Sequence, residues 1–140
     1  MRTTRLAVLT AAGLLVAACS PGVPPPPPAN AEALASGGAY DERLDDVTLE
    51  LRDALEVRYG TLNVRAYRLP SPTAWPSVNA YYQGALSAWN AEATVPNAVH
   101  GAHGRAWTNG RAVFAVALID KPVPGEDRDY KVLVVARSRR

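Results

Sequence analysis

Eight consecutive residues, Ala112 to Ile119, carry neither a charge nor a polar side chain. Read as a strand, successive side chains point to opposite faces. Val113, Ala115, Ala117 and Ile119 then fall on one face, and Ala112, Phe114, Val116 and Leu118 on the other. Tyr130, Val132 and Val134 oppose Leu133 and Val135 in the same manner. An antiparallel strand with one wet face alternates apolar and polar residues, so strands apolar on both faces want both covered. Whatever this chain folds into must supply two covers for one sheet.

The chain offers two helices, enough to cover one face of a four-stranded sheet. Asp41 to Tyr59 reads as the first, because Leu44, Val47, Leu51, Leu55 and Tyr59 recur at steps of three and four. Asp41, Glu42, Asp45 and Asp46 crowd its first turns, Arg52 and Arg58 lie late, and Gly60 is a natural stop. Its seven acids, Glu50, Asp53 and Glu56 among them, match no calcium loop and read as a solvated face. In the second helix Trp75, Val78, Tyr82, Ala85 and Trp89 form a stripe. Thr73 or Ser77 is its expected cap, and Pro76 belongs in its first turn. Tyr81 lies off the stripe and is the better surface residue.

Strands account for the remainder. Leu62–Leu69 alternates, with Pro70-Ser71-Pro72 ending it. Asn90–Ala102 reads as an irregular crossing. His103–Thr108 and Arg111–Ile119 flank Asn109-Gly110, a hairpin signal that would pair Trp107 with Ala112 and Arg105 with Phe114. Val123-Pro124-Gly125-Glu126 suits a type II turn, and Tyr130–Ala136 is the last strand. Arg137–Arg140 is a polar tail, read as solvated, with proximity to anionic headgroups as the other reading. The expected fold is α+β: a two-layer sandwich in the order α-β-α-β-β-β, two helices on one face of a four-stranded antiparallel sheet. The second face is then left for another protein or a second copy of the chain.

The amino terminus is a different kind of signal. A basic start, Met1 to Arg5, precedes the apolar run Leu6–Ala18, too short to span a bilayer. Leu15-Val16-Ala17-Ala18-Cys19 resembles the lipobox of bacterial lipoprotein precursors. The resemblance covers the leader and Cys19 only. It implies a diacylglyceryl group on the Cys19 thiol, cleavage before Cys19 and acylation of the new amino group. Ser20, where aspartate would signal inner-membrane retention in enteric bacteria, implies the outer membrane. The expected organisation is a signal peptide at 1–18, a lipidated cysteine and tether at 19–38, and a domain at 39–140. Pro24–Pro28 favours polyproline II, a spacer of about 15 Å.

Loss of the leader changes the charge. The chain has 13 acids and 15 Lys or Arg. Arg2 and Arg5 leave with the leader, so the remaining domain of roughly 120 residues is balanced. A basic-surface argument for nucleic acid fails. Cys19 is the only cysteine, so lipidation leaves no disulfide.

Chemistry is sparse. His100 and His103 are the only histidines. On a strand, positions three apart face opposite ways, and a zinc site wants a third ligand, for which Glu92 or Asp120 would have to be recruited. Ser71, Ser77 and Ser87 lie in no nucleophile motif, and no Gly-rich phosphate loop occurs. No cofactor, metal or catalytic residue is expected. The function read from the chain is that of a membrane-anchored envelope lipoprotein with a non-enzymatic interaction domain. Arg65, Tyr67, Arg105 and Trp107 are its candidate surface, taken to lie on adjoining strands. The alternatives are an envelope hydrolase, or a ligand- or lipid-binding lipoprotein with a pocket lined by Trp75, Tyr82, Trp89 and Phe114.

Overall fold

The computed structural model describes residues 23–34, 42–95, 98–99 and 101–139. Among them are two helices, α1 (Glu42–Tyr59) and α2 (Trp75–Ala85). There are also seven strands: β1 (Glu32–Ala33), β2 (Leu62–Pro70), β3 (Asn90–Glu92), β4 (Ala98–Val99), β5 (Ala102–Asn109), β6 (Ala112–Val123) and β7 (Tyr130–Ser138). All strand pairs are antiparallel. The sheet runs β1-β2-β7-β6-β5-β3, and β4 joins β3 along the outer edge of β5.

The expected four-stranded sheet is therefore too small. The additional strands are two or three residues long and come from stretches read as tether and irregular crossing. Segments of that length show no alternation, so their pairing becomes visible only through their partners, β2 and β5.

The two-layer arrangement is wrong as well. Val47, Leu51 and Leu55 of α1 share a core with Val113, Ala115, Ala117, Ile119, Val132 and Val134. Val78 and Tyr82 of α2, with Leu86 just after it, share another with Phe114, Val116, Leu118 and Leu133. Neighbouring positions of β6 and β7 thus enter different cores, which puts α1 and α2 on opposite faces. The physical reason is the two-sided hydrophobicity of β6 and β7. One helix per face removes both sets of side chains from water; two helices on one face would leave the other set exposed.

α2 is short, and it is not alone on its face. The Tyr81 hydroxyl donates to the Pro26 carbonyl oxygen at 2.8 Å and approaches that of Pro27 at 3.4 Å. This fastens the proline run beside α2. After a turn closed by Ala31 N–H to the Pro28 oxygen, the chain reverses into β1, which pairs Glu32 with Arg68 and Ala33 with Tyr67. Part of the stretch expected as a tether thus lies on the sheet. The face expected to await another protein is covered by α2 and the proline run.

Local details shift too. α2 is capped at Ala74 by no side chain, with Pro76 in its first turn. Ala85 is exposed and Leu86 takes the expected place in the buried stripe. In the β5–β6 hairpin Asn109 pairs with Ala112, so Gly110 and Arg111 form the turn. Gly110 has φ +59°, a value glycine accepts without strain. This one-place shift of the turn moves pairing by two, so faces are preserved and Trp107 meets Phe114. Gly125 does not have the positive φ of a type II turn. A Cβ there would instead run into the Arg128 carbonyl oxygen.

Tyr82 sits at the centre of the α2-side core. Its ring lies 5.5 Å from Phe114 and 6.4 Å from Trp107, centroid to centroid. Its hydroxyl is buried with no hydrogen-bond partner among the described residues, and burial pushes its pKa upward. A buried unpaired hydroxyl costs about 1–3 kcal/mol. Tyr82→Phe, which keeps the ring, is expected to raise stability by about 1 kcal/mol in urea unfolding. Tyr82→Ala is expected to lower it by about 3–5 kcal/mol through cavity formation. A loss of stability in Tyr82→Phe would show that the hydroxyl has a partner.

Candidate functional site

Arg65, Tyr67, Arg105 and Trp107 lie on one face of the sheet but not on one surface. β7 and β6 stand between β2 and β5, a separation of about 14 Å at the usual strand spacing. Trp107 is buried. The Arg105 guanidinium lies 5.5 Å from the Trp107 ring centre, and its Nη1 donates to Asn79 Oδ1 of α2 at 3.3 Å. This pair fastens α2 to β5. Arg65 and Tyr67 instead line a cleft of about 190 Å³ beneath Pro24–Pro27, together with Val135 and Arg137.

A second opening adjoins that cleft, sharing Pro24, Asn63, Phe114 and Arg137 with it. A groove of about 490 Å³ is lined by Val23, Pro24, Trp89 and the buried Phe114, with the exposed Arg137 and Arg139 and the half-buried Ser138. Its geometry follows from register. Arg137 pairs with Asn63 of β2 and with Phe114 of β6, so a guanidinium, an amide and an aromatic ring stand side by side. Ser138 Oγ accepts from the Val113 N–H at 3.1 Å, which fixes the end of β7. The groove joins apolar walls to cationic groups at its mouth, a combination suited to an anion with an apolar portion.

The aromatic pocket expected between helices and sheet is divided. Trp89 and Phe114 reach this groove, whereas Tyr82 is core and Trp75 stacks on His103 at 5.7 Å and 13°.

His103 also donates through Nε2 to Asp120 Oδ2 at 2.8 Å, with both side chains nearly half exposed. Asp120 is thus the carboxylate brought to His103, next to the register shift between Ile119 and Val123. Glu92 is taken up elsewhere. His100 and Cys19 lie outside the described residues. Among the described residues no group of three or more His, Cys, Asp or Glu could hold a metal.

Glu92 is the hub of a polar cluster that sequence reading missed. Its carboxylate accepts from the Tyr59 and Thr94 hydroxyls and from the Thr94 N–H at 3.0 Å. Arg58 Nη1 lies 3.5 Å away, and the Glu92 side chain is 8% exposed. The cluster ties the carboxyl end of α1 to β3. The hydrogen bonds from Thr94 and Tyr59, with Arg58, hold the Glu92 pKa down at about 2. Burial and the bond to Glu92 raise that of Tyr59. No local motif announces the cluster, because its members come from α1, β3 and the following loop.

Comparison with protein-family models, with characterised proteins and with solved structures finds no match.

A carboxylate with a depressed folded-state pKa contributes stability that is complete above its unfolded value, near 4.5, and is lost as pH falls toward about 2. The wild-type protein should lose melting temperature over that window. Glu92→Gln should be less stable at pH 7 by about 1–3 kcal/mol, and its melting temperature should fall less on acidification. Parallel pH profiles for the two proteins would remove Glu92 from this role.

Proposed function

We propose that the protein is a membrane-anchored envelope lipoprotein, held by lipid on Cys19, whose domain is a non-enzymatic binding module. The anchor rests on the lipobox-like Leu15–Cys19 and on Ser20, which favours the outer membrane. The binding role rests on one observation, the groove between the proline run and the sheet, where Trp89 and Phe114 meet Arg137 and Arg139. Of the earlier candidates, Arg65 and Tyr67 extend this groove beneath the prolines; Arg105 and Trp107 are structural. The hydrolase reading has the His103–Asp120 pair as its best support. That pair has the form of an acid–base couple, and a hydrolase would still need a nucleophile or a bound water beside it.

Two measurements test the proposal. Cys19→Ala should abolish incorporation of labelled fatty acid and leave a precursor or a soluble form. Label entering that variant would sink the lipoprotein reading. A photo-crosslinking residue at Trp89 should give a discrete adduct in intact envelopes, whereas one at Val57, 96% exposed on α1, should give none. Adducts from position 57 alone would move the binding surface to α1.

A further inference from the structure

Residues 19–140 carry 13 acids and, without Arg2 and Arg5, 13 Lys or Arg, and these charges are separated in space. Leu62 pairs with Ser138, and Asn109 with Ala112. The start of β2, the end of β7 and the β5–β6 turn therefore share one end of the sheet. That end carries Arg111, Arg137 and Arg139, all exposed. None of the three is in an ion pair among the described residues. On the neighbouring elements Glu92 is held in its cluster, and Glu56 accepts from the Leu62 N–H at 3.0 Å and pairs with Arg52. The opposite end holds the amino end of α1, which Arg43 ties to the Lys121 carbonyl, and the β6–β7 loop. Glu42, Asp45, Asp46, Glu126, Asp127 and Asp129 collect there. Arg43, Lys121, Arg128 and Lys131 offset them only in part.

The amino-terminal segment enters at the basic end. Val23 and Pro24 wall the groove beside Arg137 and Arg139, and Tyr81 holds the prolines that follow. Cys19 precedes Val23 by four residues, which reach at most about 14 Å. If the prolines swung free, the domain would sample all orientations above its anchor. Docked on the sheet, they no longer add length between anchor and groove. A lipid on Cys19 would then bring the three arginines close to a membrane surface, within about one to two Debye lengths of it at physiological salt.

We propose that this basic end is a docking surface for the anionic phospholipid headgroups of the membrane in which Cys19 is anchored. Arg137 and Arg139 take phosphate oxygens at the groove mouth, and Trp89 seats at the interfacial depth that tryptophan favours. The acidic end then points away from the membrane. The inference rests on the anchored reading and names the occupant of the groove. Charge complementarity and the short reach from Cys19 favour a lipid surface over an envelope protein or polymer. Three arginines near an anionic surface are worth about fivefold each, about a hundredfold together, in favour of the docked orientation.

The test uses the purified mature lipoprotein in vesicles. Its native thiol is blocked by lipid, so a fluorophore can be placed on Thr61→Cys at the basic end or on Asp127→Cys at the acidic end. Quenching is read from a phosphatidylcholine bearing a nitroxide on its headgroup. In vesicles containing phosphatidylglycerol, position 61 should be quenched at least twice as strongly as position 127. The difference should vanish in phosphatidylcholine alone and in the Arg111→Glu/Arg137→Glu/Arg139→Glu protein. It should be reduced in the milder triple Arg→Gln protein, whose melting curve should match wild type. Equal quenching at both positions, stronger quenching at 127, or quenching indifferent to the arginines would overturn the proposal.

Mass spectrometry of the same protein separates this result from the anchor. If Cys19 carries no lipid, the anchored reading fails. Headgroup contact is then decided by flotation with phosphatidylglycerol vesicles. Wild type floating and the charge-reversed protein remaining behind would support it; equal behaviour of the two would end it.

Discussion

The two-sided hydrophobicity of β6 and β7 is the constraint on which the rest of the structure depends. Every residue from Val113 to Ile119 is buried. A sheet like that cannot present a wet face, and burial of apolar area is the dominant favourable term in folding. α1 is long enough to cover one side along β2, β7 and β6. α2, at 11 residues, covers only part of the other side, around Trp107, Phe114 and Leu118. The proline run and the turn after it, with Ala31 packed against the same core, lie over the neighbouring strip. Polyproline suits this task because it has few conformations to lose on docking and offers free carbonyls to a donor such as Tyr81.

Much of this was legible in the sequence where elements are long and periodic. The stripe Leu44–Leu55 gave α1, the steps from Trp75 to Tyr82 gave α2, and Asn109-Gly110 marked the hairpin within one residue. The paradox of apolar residues on both faces was also visible, but its resolution was not. Which face a helix takes depends on the path after β2, and Pro70–Ala74 reads equally well toward either side. β1, β3 and β4 were invisible because a strand of two or three residues has no period. The candidate site was half legible. Arg65 and Tyr67 do lie beside the groove, but its aromatic and cationic members, Trp89, Phe114 and Arg137, come together only through the β2-β7-β6 register. Arg105 and Trp107 lie apart from it, against α2; an alternating Arg-x-Trp looks alike on a surface and beneath a helix.

Tyr81 shows how one residue off the apolar stripe changes the reading of a segment. It is exposed enough to pass for a binding residue, at 36%, yet its hydroxyl reaches Pro26. A spacer of prolines is stiff but free to pivot at its ends. The same prolines held along a sheet become part of the domain and no longer act as a spacer. Stiffness and docking thus have opposite consequences for whether the run holds the domain away from what precedes it.

Net charge is the wrong quantity for judging such a domain. Balanced acids and bases give no long-range attraction to an anionic surface when they are mixed. Here the antiparallel register sorts them: the carboxyl end of β7 and the β5–β6 turn are basic, while the amino end of α1 and the β6–β7 loop are acidic. Screening limits the sensed field to about 8–10 Å. A surface contacted by the basic end would therefore feel three arginines and little of the distant carboxylates. A domain neutral in sum can behave as a cation toward whatever lies beside Val23, and the segment that would carry the anchor enters at that end.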